Sequence, residues 1–244
     1  MCGRYSLSST AELVRETFDV DESADLEPRW NVAPTQEAPV VRLGASGRRR
    51  IHLLRWGLIA RGATSPAGGQ INARSETVET LPAFRDAFRQ RRCLVPADGF
   101  YEWLRLEGRR HPFHIRRRDR LPFAFAGLWN QRGEPSASPD VAERAAFPRD
   151  ARGGSFTILT CPPNDLVRPL HDRMPVILPA VAWKVWLSLE ADPAELHALL
   201  VPWTGDELEA VAVSSAVNRV DHEGSDCVRE VPRPVARQLS LLPS

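Results

Sequence analysis

Four residues of this chain, Cys2, Asn72, Glu102 and His171, are of types and in settings that could do chemistry. The chain opens Met1-Cys2-Gly3-Arg4-Tyr5. Removal of Met1 would leave Cys2 with an α-amine and a thiol on adjacent carbons, a 1,2-aminothiol that condenses with an aldehyde and closes to a thiazolidine ring. The amine titrates near roughly 8 and the thiol near about 8.5, so modest changes of environment make either one a nucleophile. On five residues alone the plainer reading, a cysteine that simply follows the start, prevails.

Glu102 breaks an apolar pattern. In Gly99-Phe100-Tyr101-Glu102-Trp103-Leu104 a period of two puts Phe100, Glu102 and Leu104 on one face of a strand and Tyr101 with Trp103 on the other. Both faces are apolar apart from Glu102. A carboxylate covered on both sides must be paired, hydrogen-bonded or raised in pKa, and a raised pKa suits a general acid or base near neutral pH. A structural pair with an arginine fits the pattern equally well. In Ile71-Asn72-Ala73-Arg74, Asn72 and Arg74 share a face if the segment is extended; one offers an amide, the other a planar fork suited to phosphate. His171-Asp172-Arg173-Met174-Pro175 places an imidazole, a carboxylate and a guanidinium in a loop before an apolar run, a position open to catalysis and to plain exposure alike.

The elements that must position these groups are mostly strands. Ser8-Ser9-Thr10 before Ala11 to Phe18 reads as the start of an N-capped helix, with Val14 and Phe18 on one face. Hairpins are expected for Val40 to Leu43 with Arg50 to Leu54, and for Gly99 to Leu106 with Pro112 to Arg116 around Glu107-Gly108. Further strands are expected at Cys93 to Val95, Pro122 to Trp129, Phe156 to Thr160, Pro175 to Leu178 and Leu208 to Val213. Helices are expected at Leu81 to Arg89, Ala180 to Leu189 and Pro193 to Leu200. The mixture predicts an α+β fold: a single β-rich, largely antiparallel domain over 1–232 with a few flanking helices, and a poorly ordered tail over 233–244. Arg61 to Gln70 and Gly133 to Gly154 read as surface loops.

With 244 residues, 43% hydrophobic and 26% charged, the chain is long enough and apolar enough for a substantial core. A formal charge of +1 gives no global sign of nucleic-acid binding. Arginine clusters, such as 48–50 and 116–118, count toward phosphate binding only where they line a concavity. Cys2, Cys93, Cys161 and Cys227 lie far apart with no CxxC pairing, which argues against zinc and a disulfide framework and makes the last three core thiols. No run is long enough to cross a bilayer. A cytoplasmic monomer with no membrane contact, no metal and no cofactor is expected.

Taken together, Met1-Cys2-Gly3-Arg4-Tyr5, Trp30-Asn31-Val32-Ala33-Pro34-Thr35-Gln36, Arg55-Trp56-Gly57-Leu58-Ile59, Ile71-Asn72-Ala73-Arg74-Ser75-Glu76-Thr77, Cys93 to Trp103 and His171 to Leu178 resemble the SOS-response-associated peptidase family of abasic-site-processing proteins. The resemblance runs from Cys2 to about Pro232. It implies the family's single β-rich domain and covalent capture of abasic sites in single-stranded DNA by the N-terminal cysteine, without metal or organic cofactor. Carried over by residue, Cys2 would be the nucleophile, Asn72 would hold its amine, Glu102 and His171 would move protons, and Arg4, Arg74 and Arg173 would contact phosphate. Three departures stand out. Ala60-Arg61-Gly62-Ala63 replaces a proline and an aromatic that would wedge DNA, Thr160-Cys161-Pro162-Pro163-Asn164 replaces a Thr-Thr-x-Ala-Asn segment, and the loop from Gly133 to Gly154 is longer than usual. Rival readings are an N-terminal-nucleophile amidohydrolase, a thiol-dependent autopeptidase that removes its own Met1, and a single-strand-binding module that forms no covalent product.

Overall fold

The structure is a computed structural model that describes residues 2–20, 26–59, 69–131 and 154–235. The loops expected at 61–70 and 133–154, apart from Gly69, Gln70 and Gly154, lie outside the described residues, as does the tail from 236 onward.

Among the described residues thirteen strands form two sheets. The strands are β1 (Tyr5–Leu7), β2 (Arg29–Val32), β3 (Glu37–Leu43), β4 (Arg49–Trp56), β5 (Asn72–Arg74), β6 (Arg92–Ala97), β7 (Gly99–Leu106), β8 (Arg109–Arg117), β9 (Phe123–Gln131), β10 (Gly154–Cys161), β11 (Met174–Pro175), β12 (Ile177–Leu178) and β13 (Leu208–Ala212). The first sheet runs β13-β8-β7-β1-β2 and is antiparallel throughout. In the second, β10 pairs with β4 on one side and with β9 on the other, so β10, β4, β3, β6 and β9 close into a ring. The β10 pairings with β4 and β5 are parallel, the exceptions to an antiparallel rule that the sequence otherwise predicts.

Local chemistry explains the elements that matter for the site. The β7–β8 hairpin turns on Glu107 and Gly108, whose φ values of 49° and 72° fit the left-handed pair that matches strand twist. Helix α1 (Ala11–Phe18) starts where Thr10 Oγ1 accepts from Leu13 N–H at 3.2 Å, and it buries Val14 and Phe18 as the spacing predicts. Helices α2 (Pro82–Gln90) and α4 (Pro193–Ala198) both open with proline. The helix expected from Ala180 is a 3-10 turn over Ala180–Ala182 leading into α3 (Trp183–Leu187).

The main core lies between the closed sheet and one face of the first sheet. Tyr5 of β1 packs edge-on against Trp56 and Phe125 with centroids 5.2 and 5.9 Å apart, and Phe100 of β7 meets Phe125 at 6.0 Å. The other face of the first sheet carries a second core of Tyr101, Val213, Val217 and Cys227, with Trp30 and Trp103 packed against it. Phe100 and Leu104 therefore go to the main core while Tyr101 and Trp103 go to the second. That is the alternation read from the sequence. Cys93, Cys161 and Cys227 are buried free thiols, as expected.

Gly99 stands on β7 between β1 and β8, paired with Ser6 on one side and Arg116 on the other. A Cβ there would sit 2.3 Å from His114 Nε2 and 2.7 Å from the Ile115 carbonyl, and that nitrogen is itself 2.9 Å from Ser6 Oγ. Backbone on one side and a hydrogen-bonded, fully enclosed ring on the other leave no room to give. Gly99→Ala is expected to lower stability by about 1–3 kcal/mol, read as a lower urea midpoint at unchanged slope. A midpoint equal to that of the parent chain would show that β7 and β8 can separate there.

Candidate active site

Cys2 reaches the site because β1 runs antiparallel to β7, with Tyr5 opposite Phe100 and Ser6 opposite Gly99. The Tyr101 N–H still donates to the Arg4 carbonyl at 3.0 Å, and the same register continued brings Gly3 level with Glu102. Past that point β7 has no strand on its β1 side among the described residues. This open edge, with Arg110 of β8 beyond it, forms one wall of a cleft of about 640 Å³; Gly3 and Arg4 line it too, and Leu170, His171 and Asn218 complete it. An open strand edge presents residues from both of its faces, which is why Glu102, Trp103 and Arg105 all line the cleft.

Cys2 is completely buried. Its carbonyl accepts from Asn72 Nδ2 at 2.8 Å, and its thiol faces the Arg4 carbonyl at 4.0 Å. Asn72 stands on β5, held beside β10 in parallel register with Ala73 turned into the core. The contact thus runs to the Cys2 carbonyl, whereas the sequence reading has Asn72 holding the amine. The Asn72 Oδ1 is buried with no hydrogen-bond partner among the described residues. Burial, and then the Glu102 carboxylate, push the Cys2 thiol far above its ordinary pKa, so it is protonated at neutral pH.

Glu102 is 3% exposed, and burial raises its pKa to about 7. The N-terminal ammonium pulls the other way, Asp172 adds to the rise, and Arg110, the weakest of the three, also pulls down. A dominant arginine pair would have pulled this pKa below the carboxylate range; burial prevails, and Glu102 is poised between acid and base at neutral pH. His171 is half-buried across the cleft. Burial comes first among the causes that lower its pKa, so its ring is neutral at pH 7. Its Nδ1 accepts from Arg173 N–H at 3.0 Å and lies 2.8 Å from Asp172 Oδ1. The turn that delivers His171 is organised by Asn164, whose Oδ1 accepts from Val167 N–H at 3.0 Å and whose Nδ2 donates to the Trp203 carbonyl at 3.0 Å.

The three arginines expected at phosphate have different surroundings. Arg173 forks onto both Glu76 oxygens, with its second contact at 2.8 Å, and donates to the Thr160 carbonyl at 2.6 Å. It depresses Glu76 to about 2 and ties the His171 loop to the end of β5. Arg4 is buried and donates to Asn31 Oδ1 at 2.7 Å and the Val217 carbonyl at 2.8 Å. Arg74 is exposed at the end of β5. The structure brings Cys2, Asn72 and Glu102 together, puts Arg4 and His171 on the same cleft, and keeps Arg173 as a strut. Arg105, Arg110 and Asn218 were missed by sequence reasoning; for the first two a signal existed, since a turn at Glu107-Gly108 fixes them as cross-strand partners.

One group of possible metal ligands occurs among the described residues: His222, Asp226 and Cys227, with ligand atoms within 4.8 Å of one another. The ion pair of His222 Nε2 with both Asp226 oxygens, at 2.9 and 3.0 Å, accounts for it, and none of the three lines the cleft. No helix among the described residues is long and apolar enough to cross a membrane.

The sequence model of the SOS response associated peptidase (SRAP) family matches residues 1–220. Abasic site processing protein YoqW of Bacillus subtilis is 38% identical over 225 residues, covering 89% of this chain and 94% of that protein. Abasic site processing protein YedK of Escherichia coli is 29% identical, covering 95% of this chain and all of its own length. A crystal structure from Bordetella bronchiseptica superposes with a TM-score of 0.69 at 30% identity over 87% of this chain and 100% of that one. Another, from Bacteroides thetaiotaomicron, gives 0.76 at 22% identity over 94% and 100%, a likeness of fold.

The raised Glu102 pKa sets a stability test. Below the unfolded value of about 4.3 the group is protonated in both states; as pH rises through 7 the folded chain must ionise a buried carboxyl, and stability is lost. Glu102→Gln removes that penalty. It is expected to stabilise the fold on the order of 2 kcal/mol at pH 8 and to leave it unchanged at pH 4, by thermal unfolding at both pH values. A loss of stability at pH 8 would mean that ionised Glu102 is held by a net favourable pair.

Proposed function

We propose, from the premise that this chain belongs to the SOS response associated peptidase family, that it processes abasic sites in single-stranded DNA, with Cys2 freed of Met1 as the nucleophile. The observation that carries the reading is Glu102: a buried carboxyl with a pKa of about 7, acting electrostatically on the Cys2 thiol, on a cleft it shares with a neutral histidine.

An abasic deoxyribose is mostly a closed hemiacetal. His171 assists ring opening by proton transfer, and the Cys2 amine attacks the C1′ aldehyde. Loss of water leaves a Schiff base, with Glu102 carrying protons. The thiol then adds to the C=N carbon and its proton passes to nitrogen, closing the thiazolidine; the net reaction joins aminothiol and aldehyde with release of one water. Asn72 holds the Cys2 carbonyl, and its unpartnered Oδ1 is the acceptor offered to the freed amine. Ring closure requires the buried thiol to give up its proton as sulfur bonds to carbon, and Glu102 is the carboxylate that acts on that thiol. The product is a protein–DNA crosslink that shields the lesion from strand breakage.

Mixing the protein with an abasic single-stranded oligonucleotide is expected to give a heat-stable shifted band. Cys2→Ala abolishes it with reversible binding retained, and Cys2→Ser leaves only a borohydride-trappable adduct, because a hydroxyl closes the ring poorly. Glu102→Gln and His171→Ala slow the reaction by about 10² or more. An uncleavable N-terminal tag blocks it, since an amide nitrogen cannot form a Schiff base. A tagged chain that crosslinks at the normal rate would place the nucleophile elsewhere.

A further inference from the structure

The cleft is lined by Arg4, Arg105 and Arg110 against a single carboxylate, Glu102, which burial keeps half-protonated at neutral pH. Arg4 is committed to Asn31 and the Val217 carbonyl. Arg105 and Arg110 are exposed, face each other as cross-strand partners on β7 and β8, and make no ion pair with a described residue. Like charges directly opposite on neighbouring strands repel at Cβ separations of about 5 Å. An anion bridging the two guanidinium groups would turn that repulsion into attraction.

One member of the pair, Arg110, is also held in place before any ligand arrives. Arg110 lies over the Trp103 ring at 5.1 Å, and Trp103 is itself fixed by donating its indole N–H to Asn218 Oδ1 at 2.7 Å. Stacking on a ring face occupies the flat side of a guanidinium and leaves its N–H edges free to donate. Arg105 stands three residues along β7 from Glu102, about 10 Å at strand rise. That is beyond the reacting sugar and within reach of a neighbouring nucleotide.

We propose that Arg105 and Arg110 form a phosphodiester subsite that grips a nucleotide flanking the captured sugar on one side of the strand. The proposal rests on the reading of the cleft as the abasic-site centre. It assigns backbone contact to two residues outside the set of Arg4, Arg74 and Arg173.

The test uses a strand carrying a tetrahydrofuran abasic analogue, which has no aldehyde and binds reversibly. In the Arg105→Gln/Arg110→Gln variant, the slope of log K against log salt is expected to be shallower by about 0.7 for each phosphate released, with about a tenfold loss of affinity at low salt. At limiting DNA the same variant should crosslink a true abasic strand more slowly, in step with its loss of affinity. Trimming nucleotides from one side of the lesion, and not the other, should erase its difference from the parent chain. Arg85→Gln on α2 is the control and should leave the slope alone. An unchanged slope in the double variant at unchanged melting temperature would overturn the subsite, as would an equal drop in the control. A parent chain that binds the analogue with the expected slope yet fails to crosslink would instead sink the capture reading and leave the subsite standing.

Discussion

The burial of Tyr5 is the constraint on which the rest of this structure depends. Its ring fills the space between Trp56 of the closed sheet and Phe125 on the opposite side of that ring of strands, so β1 has one possible depth and register. Three residues before it stands Cys2. Fixing Tyr5 therefore fixes where the start of the chain emerges, at the open edge of β7 and within hydrogen-bond reach of Asn72. An N-terminal residue is ordinarily the least ordered part of a domain; here it is completely buried because the residues after it form an interior strand with β7 on one side and β2 on the other.

That placement creates an electrostatic tension. The space that encloses Cys2 also encloses Glu102, and burial raises both pKa values: it holds the thiol protonated and lifts the carboxyl into the range where it exchanges protons at pH 7. The fold carries an ionisable carboxyl in a place where burial opposes its charge. Such local conflict is characteristic of functional positions. The surroundings of the pair are correspondingly rigid. Arg173 and Glu76 clamp the His171 loop to the end of β5, and Asn31 ties Arg4 to the segment carrying Asn218 through the Arg219 and His222 carbonyls at 2.8 and 2.7 Å.

Charge along the chain is nearly balanced, and the arginines acquire meaning only from their partners. Arg173, Arg4 and Arg105 are alike in sequence. One is neutralised by a carboxylate fork, one is consumed by an amide and a carbonyl, and one faces another arginine across a hairpin. A guanidinium already satisfied inside the protein has little left to offer a phosphate, whereas an exposed pair of like charges gains from binding one.

What the sequence determined by itself was whatever depends on near neighbours. The capped helix start before Ala11, the Glu107-Gly108 turn and the alternation that isolates Glu102 between apolar faces are all set by spacings of two to four residues, and all are found in the structure. Only the tertiary structure decided which of those elements meet. The short strands β1 and β2 carry too little pattern to be seen alone, and they exist because the closed sheet and β7 receive them. The parallel pairing that sets Asn72 beside β10 joins segments more than eighty residues apart, and no local periodicity encodes it. Whether a buried carboxylate is paired or raised, and whether an arginine is strut or ligand, depends on what packs against it from distant parts of the chain, because desolvation and ion pairing act through space and not along sequence.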